Sequence, residues 1–257
     1  MTAEMTSRKA EEGASSHRHR VGNARRGVRE KTAGVLAVLE EQYGRHEWRT
    51  TGRPLDELIG TVLSQNTSNV NTARSFQSLR RRFPTWREVV DAPEEDVIDA
   101  IRTGGLARIK APRIQAILRS ILEQQGQLSI DYVADLPLVE AKRDLMALKG
   151  VGPKTAACVL LFSLGRPAMP VDTHVHRVSR RIGLVPERAS AEAAEPILEE
   201  LLEDDRDRIL TAHLNLISHG QQICRSNRPR CEACRLTREC DYFQANAHRN
   251  DEAVSAG

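Results

Sequence analysis

The apolar residues along this chain recur at intervals of three and four rather than two. Val35, Leu36 and Leu39 form a first amphipathic set, and Leu55, Leu58, Ile59, Val62 and Leu63 follow behind Pro54 and Asp56. Pro84 and Pro93 break the next stretch. Val97, Ile98 and Ile101 run up to Gly104-Gly105, a good helix stop. Ile109, Ile114, Ile117, Leu118, Ile121 and Leu122 repeat at helical spacing and halt at Gly126. Further helices are predicted through Leu138, Leu145 and Leu148, and from Asp172 to Gly183. Two more are predicted over Glu195–Leu202 and Ile209–Ile217. No convincing alternation interrupts this pattern, so the predicted fold is all-α. Roughly ten helices exceed a single four-helix bundle, and no long internal repeat is evident.

The length of 257 residues allows one large domain or two ordinary ones. The longest apolar run, Ala156 to Phe162, is far below the ~20 residues of a membrane span. No charged-then-apolar leader is visible, so a cytoplasmic protein is expected, nucleoid-associated if bacterial. The net charge of +3 lies wholly in residues 1–30, where seven basic side chains face four acidic ones. Residues 1–27, rich in Ser, Arg, Gly and Glu, read as a disordered basic tail. The remainder is neutral but blocky. Arg102, Arg108, Lys110, Arg113 and Arg119 occur without an acid between Ile101 and Leu122, whereas Glu187–Arg208 holds nine acids against three bases. Arg80-Arg81-Arg82 and Arg177, Arg180 and Arg181 add basic positions. Such blocks make either a basic binding face or merely solvated helix faces. Only six of the 38 basic residues are lysine, which makes each lysine worth locating.

The most informative stretch is Leu148-Lys149-Gly150-Val151-Gly152-Pro153-Lys154-Thr155-Ala156. It reads as a two-glycine hairpin between helices, with Pro153 suited to the first turn of the second helix. Missing Cβ atoms would let a phosphate reach the backbone amides; a plain helical hairpin also favours glycine. Lys154 sits in that first turn, where the helix dipole is already positive. That field, with partial desolvation, favours the neutral amine, a nucleophile able to form a Schiff base. On the position by itself, an ordinary surface lysine or a simple phosphate contact is the better reading. Asp172, in Val171-Asp172-Thr173-His174-Val175-His176-Arg177-Val178, is a natural N-cap. It is alternatively a carboxylate placed to stabilise positive charge and move protons. His174 and His176, two apart, lie on different helix faces and are expected to be structural.

Cys224, Cys231, Cys234 and Cys240 fall in one short segment, while Cys158 stands alone on an apolar stretch and reads as core. One tight cluster in a cytoplasmic chain points to metal rather than disulfides. The uneven spacing, with a single Cys-x-x-Cys, suits an iron–sulfur cube; structural zinc, which usually takes two separated pairs, stays open. Arg225, Arg228, Arg230, Arg235 and Arg238 surround the cysteines, either to meet phosphates or to offset thiolate charge.

The hairpin, the Asp172 segment and the four cysteines together resemble the endonuclease III family of DNA glycosylases, within the helix-hairpin-helix superfamily, over roughly residues 30–245. The resemblance implies a two-domain fold. Residues 53–166 would form a six-helix barrel with the hairpin, and 28–52 with 167–245 the iron–sulfur cluster domain, with residues 246–257 a C-terminal tail. It also implies an active site in the cleft between the domains, and a [4Fe–4S] cluster on Cys224, Cys231, Cys234 and Cys240. Lys154 looks like the Schiff-base nucleophile and Asp172 its catalytic partner. Leu106 looks like a wedge against the strand opposite the damage. Gln65 or Asn66 would fill the gap left by the flipped base, and Gly150, Val151 and Gly152 would hold the DNA backbone. The implied activity is removal of oxidised pyrimidines from duplex DNA with cleavage at the abasic site, by a monomer with no membrane partner. An adenine glycosylase resembles this pattern but lacks the lysine and adds a C-terminal domain, whereas 17 residues follow Cys240 here. A mismatch thymine glycosylase is a further alternative. A non-catalytic iron–sulfur DNA-binding or redox-sensing protein would need neither Lys154 nor Asp172.

Overall fold

The structure, a computed structural model, describes residues 27–246; the tail readings at 1–26 and 247–257 lie outside the described residues. Among the described residues there is no strand, and no helix is long and apolar enough to cross a membrane. Helix α1 covers residues 27–43. It is followed by α2 (Pro54–Ser64), α3 (Asn69–Arg82), α4 (Trp86–Asp91), α5 (Glu94–Ala100), α6 (Ala107–Gln125), α7 (Leu138–Ala147) and α8 (Pro153–Cys158). Then come α9 (Thr173–Ile182), α10 (Ala191–Leu201), α11 (Arg206–Gln222) and a short α12 at 241–246.

The described residues fall into two compact units. One comprises His46–Asp172 and Leu202–His213; the other comprises 27–45, Thr173–Leu201 and 214–246. Residues 202–213, grouped with 167–245 in the sequence reading, thus belong with 46–172. Hydrogen bonds explain the grouping: His46 N–H donates to Thr211 Oγ1 and Trp48 N–H to Asp207 Oδ1, each at 3.1 Å.

In the unit built around 46–172, the core draws on the faces the periodicity picks out. Leu58, Ile59, Val62 and Leu63 of α2 are buried with Ile114, Ile117, Leu118 and Ile121 of α6, Leu145 of α7 and Ala156 of α8. Local chemistry sets the boundaries. Pro54 opens α2, Ser68 Oγ caps α3, and Thr85 with Glu88 forms a capping box on α4. Gly126 ends α6 at φ 71°, a conformation costly for residues with a Cβ. One expectation fails here: Ile109, read as part of the apolar repeat of α6, is 54% exposed. The helix after the hairpin is not regular throughout: from Val159 to Ser163 it widens into a π turn. A widened turn frees carbonyls, and Trp48 Nε1 donates to that of Leu161 at 2.6 Å. In the other unit the buried apolar positions include Val35, Leu39, Val175, Val178, Ile182, Leu198 and Leu216.

Candidate active site

The hairpin forms as its residues dictate. Leu148 leaves α7 in an extended conformation, Gly150 takes φ 94°, and Val151 N–H donates to Leu148 O at 2.9 Å. Val151 is buried, so its side chain packs inward and only its backbone is on offer. A Cβ on Gly150 would meet Arg113 Cδ at 2.9 Å, so internal packing explains this glycine. Gly152 is different. Its φ of −99° suits any residue and an added Cβ would meet nothing within 4 Å. The fold itself does not require glycine there, whereas a close-approaching ligand does.

Lys154 lies in the first turn of α8, half-buried, and donates to the Cys158 thiol one turn on. Asp172 immediately precedes α9 and is also half-buried. The charges of Lys154 and Asp172 both act on Cys158 and on His213 of α11, so all four side chains converge. Glu57 of α2 joins them through its charge on Cys158; it accepts hydrogen bonds from Thr51 Oγ1 and Thr61 Oγ1. Burial pushes the Cys158 thiol up to about 11, so it stays protonated and is no competing nucleophile. Burial also pushes His213 down to about 4, leaving a neutral imidazole whose Nδ1–H donates to Pro170 O at 2.9 Å. The sequence reading missed His213 because a lone histidine on an apolar helix face carries no signal of its own.

The residues compared with strand-invading groups sit on two strained turns. Leu106, 47% exposed, stands at φ 52° just before α6. Asn66, exposed, has φ 53°. Left-handed backbone in residues other than glycine costs energy that surrounding structure must offset, and it concentrates at functional sites. Gln65 does not share this freedom, because its Oε1 accepts from Arg113 Nη1 at 2.8 Å.

The basic stretch of α6 is not the open cationic face that the charge pattern allows. Arg102 pairs with Asp99, Arg108 with Glu95, and Arg119 donates to Val90 O. Lys110 is 2% exposed, with Nζ donating to Leu63 O at 2.7 Å and Gly104 O at 3.0 Å. Arg80 stacks over Trp86, and Arg82 pairs with Asp96.

In the other unit, Arg177 and Arg181 of α9 brace the cysteine loop. Arg177 donates to Gly220 O and Cys224 O. Arg181 donates to Cys224 Sγ, Arg225 O and Ser226 O, and lies over the Tyr242 ring. His174 contacts Arg177 and His176 contacts Ala189 O, so both histidines serve local structure. The four cysteines line one pocket with His219 and Leu236. Burial raises the thiol pKa of Cys231, Cys234 and Cys240, which a bound metal centre would have to overcome. Among the described residues no three His, Cys, Asp or Glu side chains come together to hold a single metal ion. Four thiols facing one apolar pocket, with Leu236 N–H and Arg181 donating to sulfur, fit a cluster whose corners are spaced apart. Arg225, Arg228, Arg230, Arg235 and Arg238 are all exposed; Arg235 pairs with Glu41.

The family model described as HhH-GPD superfamily base excision DNA repair protein matches residues 59–204. A protein of Arabidopsis thaliana that carries a DNA glycosylase name is 40% identical over 172 residues, 66% of this chain and 57% of its own length, so this chain spans little more than half of that relative. Endonuclease III of Thermotoga maritima is 37% identical over 193 residues, covering 74% of this chain and 84% of its own. A solved structure of a trapped endonuclease III–DNA covalent intermediate matches with a TM-score of 0.72 at 27% identity, over 85% of this chain and 98% of that one. With its helical fold, its glycine hairpin and its cysteine loop, the chain belongs to the HhH-GPD superfamily of base excision DNA repair proteins, in the endonuclease III family.

Proposed function

We propose that this protein is a base-excision DNA glycosylase with abasic-site lyase activity, acting on oxidised pyrimidines in duplex DNA. The observation that carries the reading is the convergence of Lys154 and Asp172, an amine and a carboxylate, behind a glycine hairpin with an unfilled approach at Gly152. The target bond is hidden in the duplex, so the nucleotide must be flipped out, at a cost of a few kcal/mol that is least for damaged bases. Leu106 then wedges against the opposite strand. Asn66 fills the gap, because it is exposed while Gln65 is held by Arg113. The hairpin Gly150-Val151-Gly152 holds a phosphate through the backbone amides of Gly150 and Gly152, that of Val151 being engaged by Leu148 O. The unprotonated amine of Lys154 attacks the anomeric carbon and the base departs with the bonding pair; the C1′–O4′ bond of the resulting aminal then breaks, the ring oxygen takes up the proton released by the amine, and a Schiff base remains. Asp172 stabilises the positive sugar and relays protons. Loss of a proton from the neighbouring sugar carbon expels the 3′ phosphate and nicks the strand.

Cys224, Cys231, Cys234 and Cys240 are the residues that would hold a [4Fe–4S] cluster, whose contribution is to order this arginine-studded loop against phosphates. The place of action is the compartment holding the genome, in a bacterium the nucleoid.

Borohydride trapping on duplex DNA containing thymine glycol tests the reading. The wild-type protein gives a covalent adduct and Lys154→Gln gives none; absence of an adduct with the wild-type protein would refute the lyase. Purified protein is expected to be yellow-brown with iron and sulfide. A colourless protein with stoichiometric zinc would overturn the cluster.

A further inference from the structure

A lysine buried to 2% exposure needs an explanation, since ammonium groups are almost never fully buried without paired charge. Among the described residues no carboxylate holds Lys110. Its hydrogen bonds go to two backbone carbonyls, and each belongs to a helical segment that is ending. Leu63 is in the last turn of α2, whose carbonyls have no helical partner, and Gly104 closes the 3₁₀ turn Arg102–Gly104. A cation at a helix C-terminus is electrostatically favoured, so the site satisfies the ammonium locally. Burial makes the amine harder to protonate, so an apolar side chain would be the less costly choice if stability alone counted.

The chain positions give the reason for the cation. Asn66 lies three residues beyond Leu63, and Leu106 lies two beyond Gly104. Both take left-handed backbone, at φ 53° and 52°. One ammonium therefore anchors the last fixed carbonyl before each of the two strained turns. The same helix adds a second tether one turn further on. Arg113 holds the Gln65 side chain at 2.8 Å, and its stem packs on Gly150 of the hairpin.

We propose that Lys110 is a positioning residue that locks the Asn66 and Leu106 turns at a fixed separation, so that they enter a damaged duplex as one unit. Arg113 ties the same assembly to the hairpin. This inference rests on the function proposed above. It assigns the two cations a role in opening paired DNA and none in the chemistry at the sugar.

The test compares borohydride trapping rates, under single turnover, on an abasic site in fully paired duplex and on the same site inside a short unpaired bubble. Wild-type reactivity on both substrates tests the proposed function itself; if the wild-type protein traps neither, that function falls and the positioning role with it. Lys110→Met keeps the shape and removes the donors. It is expected to slow trapping on the paired site about 30-fold and on the bubble less than about 3-fold, because only the paired substrate has to be opened. Thermal melting reports whether the variant folds. If it does not, Arg113→Met, at a half-buried site, carries the test, with a smaller selective loss of about 5-fold on paired DNA. A loss shared equally by both substrates, as from a merely structural role or a lost phosphate contact, overturns the proposal, and so does no loss on either.

Discussion

The neutral imidazole of His213 makes the stability of this protein depend on pH in a calculable way. Burial depresses its pKa from 6.5 to about 4, with Lys154 lowering it further and Asp172 and the Pro170 carbonyl opposing. Above pH 6.5 neither the folded nor the unfolded histidine carries a proton, so the group contributes no difference. As pH falls below 6.5 the unfolded chain takes up a proton that the folded chain refuses, and stability is lost until the folded value near 4 is reached. Each unit is worth about 1.36 kcal/mol. From 6.5 down to about pH 5, one and a half units, the expected loss from this residue is about 2 kcal/mol. His213→Asn isolates it. The Asn amide keeps a donor for the Pro170 carbonyl but does not titrate, and the cavity beside Phe162 lowers stability by a pH-independent amount of about 1–3 kcal/mol. Urea unfolding of both proteins, followed by circular dichroism at about pH 7.5 and about pH 5, gives the comparison. Titrating groups that do not interact with His213 cancel in the difference. The gap between wild type and His213→Asn should shrink by about 2 kcal/mol at the lower pH. A gap that stays constant would show that His213 is not held neutral, and the burial argument would fail.

Two further outcomes follow from packing. Gly104→Ala puts a Cβ 2.6 Å from the buried Ser75 Oγ and should cost about 1–3 kcal/mol. Adding Ser75→Ala, which leaves a 3.2 Å contact, should restore part of that in a double-mutant cycle by chemical denaturation. Arg181→Leu removes three hydrogen bonds and a ring contact from the cysteine loop, costing about 2–4 kcal/mol locally, so the purified variant should carry less iron per chain than the wild type.

The site reads from the sequence where its chemistry is local. Gly150, Gly152, Pro153 and Lys154 form the hairpin and first turn their residue types require, and the cysteine spacing brings four thiols to one pocket. It does not read where long-range packing decides. The basic run on α6 looks like a surface for phosphates, yet Lys110 points into the core and Arg113 onto Gln65 and Gly150. Ile109 follows the apolar period and is nevertheless exposed.

What this sequence determines by itself follows from interactions a few residues long. Three-and-four periodicity makes helices, Gly and Pro punctuate them, and a short cysteine segment has few other uses. Tertiary structure alone decides which charges are buried, because a lysine's environment depends on carbonyls 47 and six residues away along the chain. It also brings His213 to the charges of Lys154 and Asp172 and places two strained turns on one ammonium. Desolvation and hydrogen-bond geometry are properties of the assembled space around an atom, and no local pattern encodes that space.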